Sequence, residues 1–166
     1  MVNVPVPELI AEHVKNNTDF GKAIKAALTA DEKVSDVPIA HFVLRELKGI
    51  GDKSFIVTGF PKTYRQAILL WKDLEFNFVI NLDYPKEYLV RFKVGGVDES
   101  GTEEEKEKRV ALAMENIAKD QKRLSSLIEF YKKQKILQHF YSNTEEEMWK
   151  KVKKGVEVRL VALSKT

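Results

Sequence analysis

The chain has no cysteine among its 166 residues. That excludes a disulfide framework, a thiolate-held metal and a cysteine nucleophile. No run approaches the roughly 20 apolar residues that span a bilayer, so no membrane partner is expected. Met1-Val2-Asn3-Val4-Pro5 lacks the basic segment and long apolar stretch of a secretory signal, which points to a cytoplasmic protein. A strong excess of one charge is missing too. Lys and Arg number 28 against 25 Asp and Glu, a net charge of +3. No nucleic-acid motif accompanies the basic cluster Lys150, Lys151, Lys153 and Lys154, so nucleic acid is set aside and the cluster reads as a solvated helix face. His13, His41 and His139 share no metal-ligand spacing, and no metal site is expected. No Ser-His-Asp arrangement can be established from sequence either, and no catalytic residue is assigned.

What remains is a chain with 43% apolar and 32% charged residues, long enough to bury a core and read as a single domain over 1–166. Helical patterns follow Pro7 (Leu9, Ile10, Val14), run from Phe20 to Leu28 behind a Thr18 or Asp19 cap, and run through Ile39, Phe42, Val43 and Leu47. Ser54-Phe55-Ile56-Val57-Thr58 reads as a strand, Tyr64 to Trp71 as a helix, and Phe76 to Leu82 as a second strand. A short helix is expected over Lys86–Phe92, and a long amphipathic one from about Thr102 to Gln134. Leu137–Tyr141 reads as a strand and Glu145–Val152 as a helix capped by Thr144. Val156-Glu157-Val158-Arg159-Leu160-Val161-Ala162-Leu163 alternates like a final strand. Trp71 and Trp149 are expected to pack in the core or at its rim. Strands separated by helices imply an α/β fold with a parallel sheet flanked by helices.

The most specific motif is Gly59-Phe60-Pro61-Lys62-Thr63 with Gln66 three residues on, at a strand-turn-helix junction. It resembles the adenylate kinase (nucleoside monophosphate kinase) family, where the segment reads Asp-Gly-Phe-Pro-Arg-Thr before a glutamine and holds the monophosphate. Gly21-Lys22, Asp31 to Asp36, Phe78 to Pro85, Lys106 to Arg109 and Lys135-Ile136-Leu137 resemble further family segments in matching order, over roughly residues 4–155. The resemblance implies an adenylate-kinase-like, P-loop-NTPase-type sheet, with monophosphate-binding-like helices at 20–50 and a vestigial lid at 93–102. It implies residual AMP-site contacts from Gly59, Lys62 and Gln66, and a phosphate contact from Arg109.

The departures from the family pattern are as informative. No Gly-x-x-x-x-Gly-Lys-Ser/Thr loop occurs in the sequence, and the first residues align with the family's second strand. The family's phosphate-binding threonine and arginine fall on Val6 and Ala11, the motif's arginine on Lys62, and its magnesium-organising acid on Thr58. Lid arginines fall near Phe92 and Gly96, with Arg91 one position out of register, and the Gly95–Gly101 segment offers Asp98 and Glu99 instead. The expected function is a catalytically inactive adenylate-kinase-like binding or scaffold domain with protein partners, of a type the resemblance places in ciliary or flagellar assemblies. No cofactor or magnesium site is expected, and AMP or another adenine nucleotide is the ligand left open. The alternatives are a nucleoside monophosphate kinase completed by a partner, and an AMP-binding sensor. The Gly-Phe-Pro segment itself has two readings, structural junction or residual nucleotide contact. Residues 156–166 are expected as an extra C-terminal strand that replaces the missing first strand or is exchanged, through 156–163, with a neighbour.

Overall fold

The computed structural model describes residues 1–32, 34–95 and 101–163. It is a mixed α/β structure with seven helices and four short strands among the described residues, and it divides into two compact units, 1–76 and 77–166.

In the first unit, β1 (Val2–Pro5) pairs in parallel with β2 (Phe55–Thr58), Val2 opposite Phe55 and Pro5 opposite Thr58. Three helices come between them: α1 (Val6–Lys15), α2 (Asp19–Thr29) and α3 (Asp36–Gly49). Pro7 sits in the first turn of α1, where its missing N–H leaves no bond unmade. Thr18 starts α2 by accepting a hydrogen bond from the Gly21 amide at 3.1 Å. These helices turn Val4, Val6, Ala40, Phe42, Val43, Leu47 and Phe60 into one buried cluster, joined by Leu70 of α4 (Tyr64–Trp71). Leu47 and Leu70 are fully buried, each worth about 1.5–3 kcal/mol of transfer free energy. Phe76, read from sequence as the start of a strand, packs edge-on against Phe55 at 6.5 Å instead.

In the second unit, β3 (Val79–Asp83) pairs in parallel with β4 (Leu137–Tyr141). Between them run α5 (Lys86–Lys93) and α6 (Glu103–Lys133). A complete capping box opens α6: Thr102 accepts from the Glu105 amide, and the Glu105 carboxylate accepts from the Thr102 amide. Ala113, Ile117, Leu127 and Tyr131 form its buried face, with Met148 of α7 (Glu145–Leu163) also buried.

The alternating run at 156–163 is helical, which corrects the strand reading. It forms the C-terminal half of α7, which Thr144 opens by accepting from the Glu147 amide at 3.3 Å. The alternation hides a second period. Val152, Gly155, Val156 and Arg159, spaced i, i+3, i+4, i+7, are the half-buried positions. Gly155 sets that face: a Cβ there would lie 2.5 Å from the Phe140 ring. With strands β3 and β4 as the only pair in this sheet among the described residues, the run meets a helix seat rather than a strand neighbour. Trp149 is also corrected; it is 65% exposed, and Met148 beside it takes the core position.

Candidate functional site

The chain leaves β2 at Thr58 and enters α4 through five residues whose geometry is fixed locally. Gly59 has φ +71°, and a Cβ on it would lie 2.6 Å from the Pro7 ring. Only glycine allows both the left-handed backbone and this approach to the start of α1. The Phe60–Pro61 peptide is cis. Thr63 is the N-cap of α4, its hydroxyl accepting from the Gln66 amide at 3.1 Å.

Gln66 is the centre of the arrangement and is only 5% exposed. Its Oε1 accepts from the Lys62 amide at 2.7 Å. Its Nε2 donates to Oδ1 of Asp36, in the first turn of α3, at 2.8 Å. One amide side chain therefore ties the turn, the start of α4 and the start of α3 together, its carbonyl and its amino group each holding one bond. A charged acceptor makes the second bond the stronger one. Beside it lies a cavity of about 100 Å³ lined mainly by Val6, Pro7, Ile10, Ile39 and Phe60, with Lys62 also on its wall. Small-molecule sites usually occupy about 300–1,000 Å³. The space fits a fragment of a nucleotide, not a whole one.

The structure thus brings Gly59, Lys62 and Gln66 together in the first unit. Arg109 lies half-buried on α6, in the second unit. Val6, at 1% exposed, is a core residue; its position serves packing. Ala11 is exposed on α1, and Thr58 is exposed at the end of β2. Phe92 is 71% exposed at the end of α5. Of the lid expected at 93–102, Gly96, Asp98 and Glu99 lie outside the described residues. His13 accounts for itself structurally: its Nδ1 lies 3.0 Å from the Thr18 hydroxyl and its ring meets Phe42 edge-on at 4.7 Å. Among the described residues no group of three or more His, Cys, Asp or Glu could hold a metal ion, and no helix is long and apolar enough to cross a membrane.

Two partnerships escape sequence reading. Asp36 was visible only as the end of the Asp31-to-Asp36 segment; nothing in the spacing joins it to Gln66, 30 positions away. Across β3 and β4, Nδ1 of His139 is 2.8 Å from Asn81 Nδ2, and its Nε2 is 3.6 Å from Asp83. Strand register creates that cluster, and single-sequence periodicity carries no signal for register between strands 58 residues apart.

No family model matches the chain. Among curated relatives, the adenylate kinase of Synechococcus sp. (strain JA-2-3B'a(2-13)) is 28% identical over 141 residues, 82% of this chain and 72% of that protein. The adenylate kinase of Leptospira biflexa serovar Patoc is 29% identical over 136 residues, 78% of this chain and 72% of its own. The mitochondrial GTP:AMP phosphotransferase of Drosophila melanogaster is 26% identical over 89 residues, so that the match spans 54% of this chain and 41% of the fly protein.

Proposed function

We propose that this adenylate-kinase-like chain is a binding or scaffold domain without phosphoryl-transfer activity of its own. In this reading the Gly59-to-Gln66 segment is kept as a structural clasp, and the domain serves protein partners in a larger assembly of the ciliary or flagellar kind. The observation that carries the reading is the Gln66 amide. Its carbonyl and its amino group each already hold one bond within the fold, and the side chain is 5% exposed, so it is not presented to an adenine edge as the fold stands. Breaking those bonds to bind a base would leave the Lys62 amide or the Asp36 carboxylate without a partner, at a cost of about 1–3 kcal/mol each.

The residues around the clasp support the same conclusion. Phosphoryl transfer is almost entirely positioning and positive charge about the transferring group. Val6 and Ala11 offer neither. Lys62 keeps a charge but lacks the two-pronged guanidinium that matches a phosphate. The 166 residues contain no phosphate-cradling glycine loop.

Titration of the purified chain with AMP, ADP and ATP, each with and without magnesium, tests this by calorimetry and amide NMR. The expected result is no saturable binding to any of the three and no phosphoryl transfer in a coupled assay. Saturable AMP binding that disappears in Lys62→Ala would replace the scaffold with a nucleotide sensor. Turnover that emerges on adding a protein partner would replace it with a partner-completed kinase.

A further inference from the structure

Parallel pairing sends the N–H and C=O of alternate residues to the neighbouring strand and leaves those between them pointing the other way. The Val79 amide donates to the Ile136 carbonyl at 2.9 Å, and the Asp83 carbonyl accepts from the Ser142 amide at 3.1 Å. With Asn81 opposite His139, the main-chain groups of Val79, Asn81 and Asp83 therefore face β4. Ile80 and Leu82 direct theirs to the open side of β3. Their side chains are open as well, Ile80 at 38% exposed and Leu82 at 51%. The other outer edges are closed by ordinary devices. In the first unit the Val2 amide donates to the Ser54 carbonyl at 2.8 Å, which fixes the alternation there. On β1 the outward residues are then Asn3 and Pro5, and proline has no N–H to offer. On β2 they are Phe55 and Val57, half-buried against the core of that unit. On β4 the outward Tyr141 carbonyl accepts from the Lys151 ammonium at 2.7 Å. The run Val79-Ile80-Asn81-Leu82-Asp83 has no lysine or proline. Among the described residues, nothing is hydrogen-bonded to the outward groups of Ile80 and Leu82.

We propose that the β3 edge pairs with the β3 edge of a second copy of this chain, antiparallel across a two-fold axis at Asn81. The argument is that this edge is its own complement. In that register Ile80 of each copy stands opposite Leu82 of the other. Both are hydrogen-bonded pairs, in which opposed residues exchange both N–H···O=C bonds, so every outward group of Ile80 and Leu82 finds a partner. A slip of one residue would set those groups against ones already committed to β4. The side chains of each Ile80–Leu82 pair lie together on one side of the sheet. It is the side on which Phe140, opposite Leu82 in β4, meets Gly155 of α7. On the other side Asn81 meets itself and Val79 meets Asp83, so no like charges are opposed. Because one edge pairs with the same edge, a two-fold axis closes the contact without any second surface. The drive is the pairing of main-chain groups and the covering of Ile80 and Leu82. The contact is one short strand wide, small beside a standard interface, so the association is weak.

Sedimentation equilibrium of the full chain over about a hundredfold concentration range, at about 0.05 M salt so that charges are felt, tests this. A monomer–dimer equilibrium is expected. Ile80→Lys/Leu82→Lys places like charges in both pairs and should raise the dissociation constant at least about tenfold. Ile80→Lys/Leu82→Glu carries as many new charges but opposes lysine to glutamate in both pairs of this register. It should associate at least about tenfold more tightly than the double lysine. The chain has no cysteine, which permits a direct probe of the axis. Asn81→Cys places two thiols at a non-hydrogen-bonded pair, where Cα atoms are about 4.5 Å apart, within reach of a disulfide. With copper–phenanthroline as oxidant it should cross-link at least about tenfold faster than Ser126→Cys, an exposed position on α6. Circular dichroism checks that every variant stays folded. A parent that is monomeric at all concentrations overturns the proposal. So does a lysine–glutamate double that associates no better than the double lysine, or an Asn81→Cys chain that cross-links no faster than Ser126→Cys.

Discussion

Replacing Gln66 by leucine separates a structural clasp from a nucleotide reader. Leucine has nearly the same volume, so packing changes little, but both bonds of the amide disappear. The Lys62 amide loses an acceptor at 2.7 Å, and the Asp36 carboxylate loses a donor at 2.8 Å. A neutral bond contributes about 1 kcal/mol net and one to a charged group about 1.5–3 kcal/mol. Asp36 is only half-buried, so water recovers part of the second term. The apolar wall beside Gln66 returns a further fraction of a kilocalorie to the leucine. The net destabilisation is about 1.5–3 kcal/mol, read as a lower midpoint of urea unfolding. Gln66→Glu sharpens the test by turning the donor facing Asp36 into a second carboxylate. The pair then shares a proton, and the folded-state pKa of one member rises above the unfolded carboxylate value of about 4. A raised pKa confers its stability below that value and loses it as pH climbs through the folded pKa. The Gln66→Glu deficit should therefore be small near about pH 4 and large near about pH 7. If Gln66→Leu leaves the unfolding midpoint unchanged, or the Gln66→Glu deficit is flat with pH, the amide does not clasp the fold.

Gly59→Ala should destabilise by at least about 2 kcal/mol, because a left-handed φ of +71° and a Pro7 ring 2.6 Å from the new Cβ oppose it together; an unchanged urea midpoint would contradict the turn geometry. Burial pushes the Tyr131 hydroxyl up to about 12. Above about pH 10 the unfolded chain ionises this group while the folded chain keeps its proton, so stability falls between about pH 10 and about pH 12, by at most about 2.7 kcal/mol. Tyr131→Phe should flatten that part of the alkaline unfolding curve, and an unchanged slope would refute the burial argument.

The local rules that were legible in the sequence share one property: each is settled within a turn or two of chain. Thr18, Thr63, Thr102 and Thr144 were readable as helix starts, because a hydroxyl next to a periodic apolar run has little else to do there. All four accept from an amide three residues on. The Gly-Phe-Pro-Lys-Thr junction was readable for the same reason, and so was the parallel α/β plan. What sequence left open needs a second segment to decide it. Two readings of the junction competed because a partner of Gln66 sits on α3, and only the fold reveals that its amino group is bonded to Asp36. Val156 to Leu163 carried both a strand period and a helix period, and local propensity favoured the strand. The decision fell to Phe140, whose ring accepts Gly155 and so selects the helical face of Val152, Val156 and Arg159. That choice has a consequence the strand reading would have removed. A strand seated in a sheet would have covered Val158 and Val161, whereas a helix seated through Gly155 turns them outward.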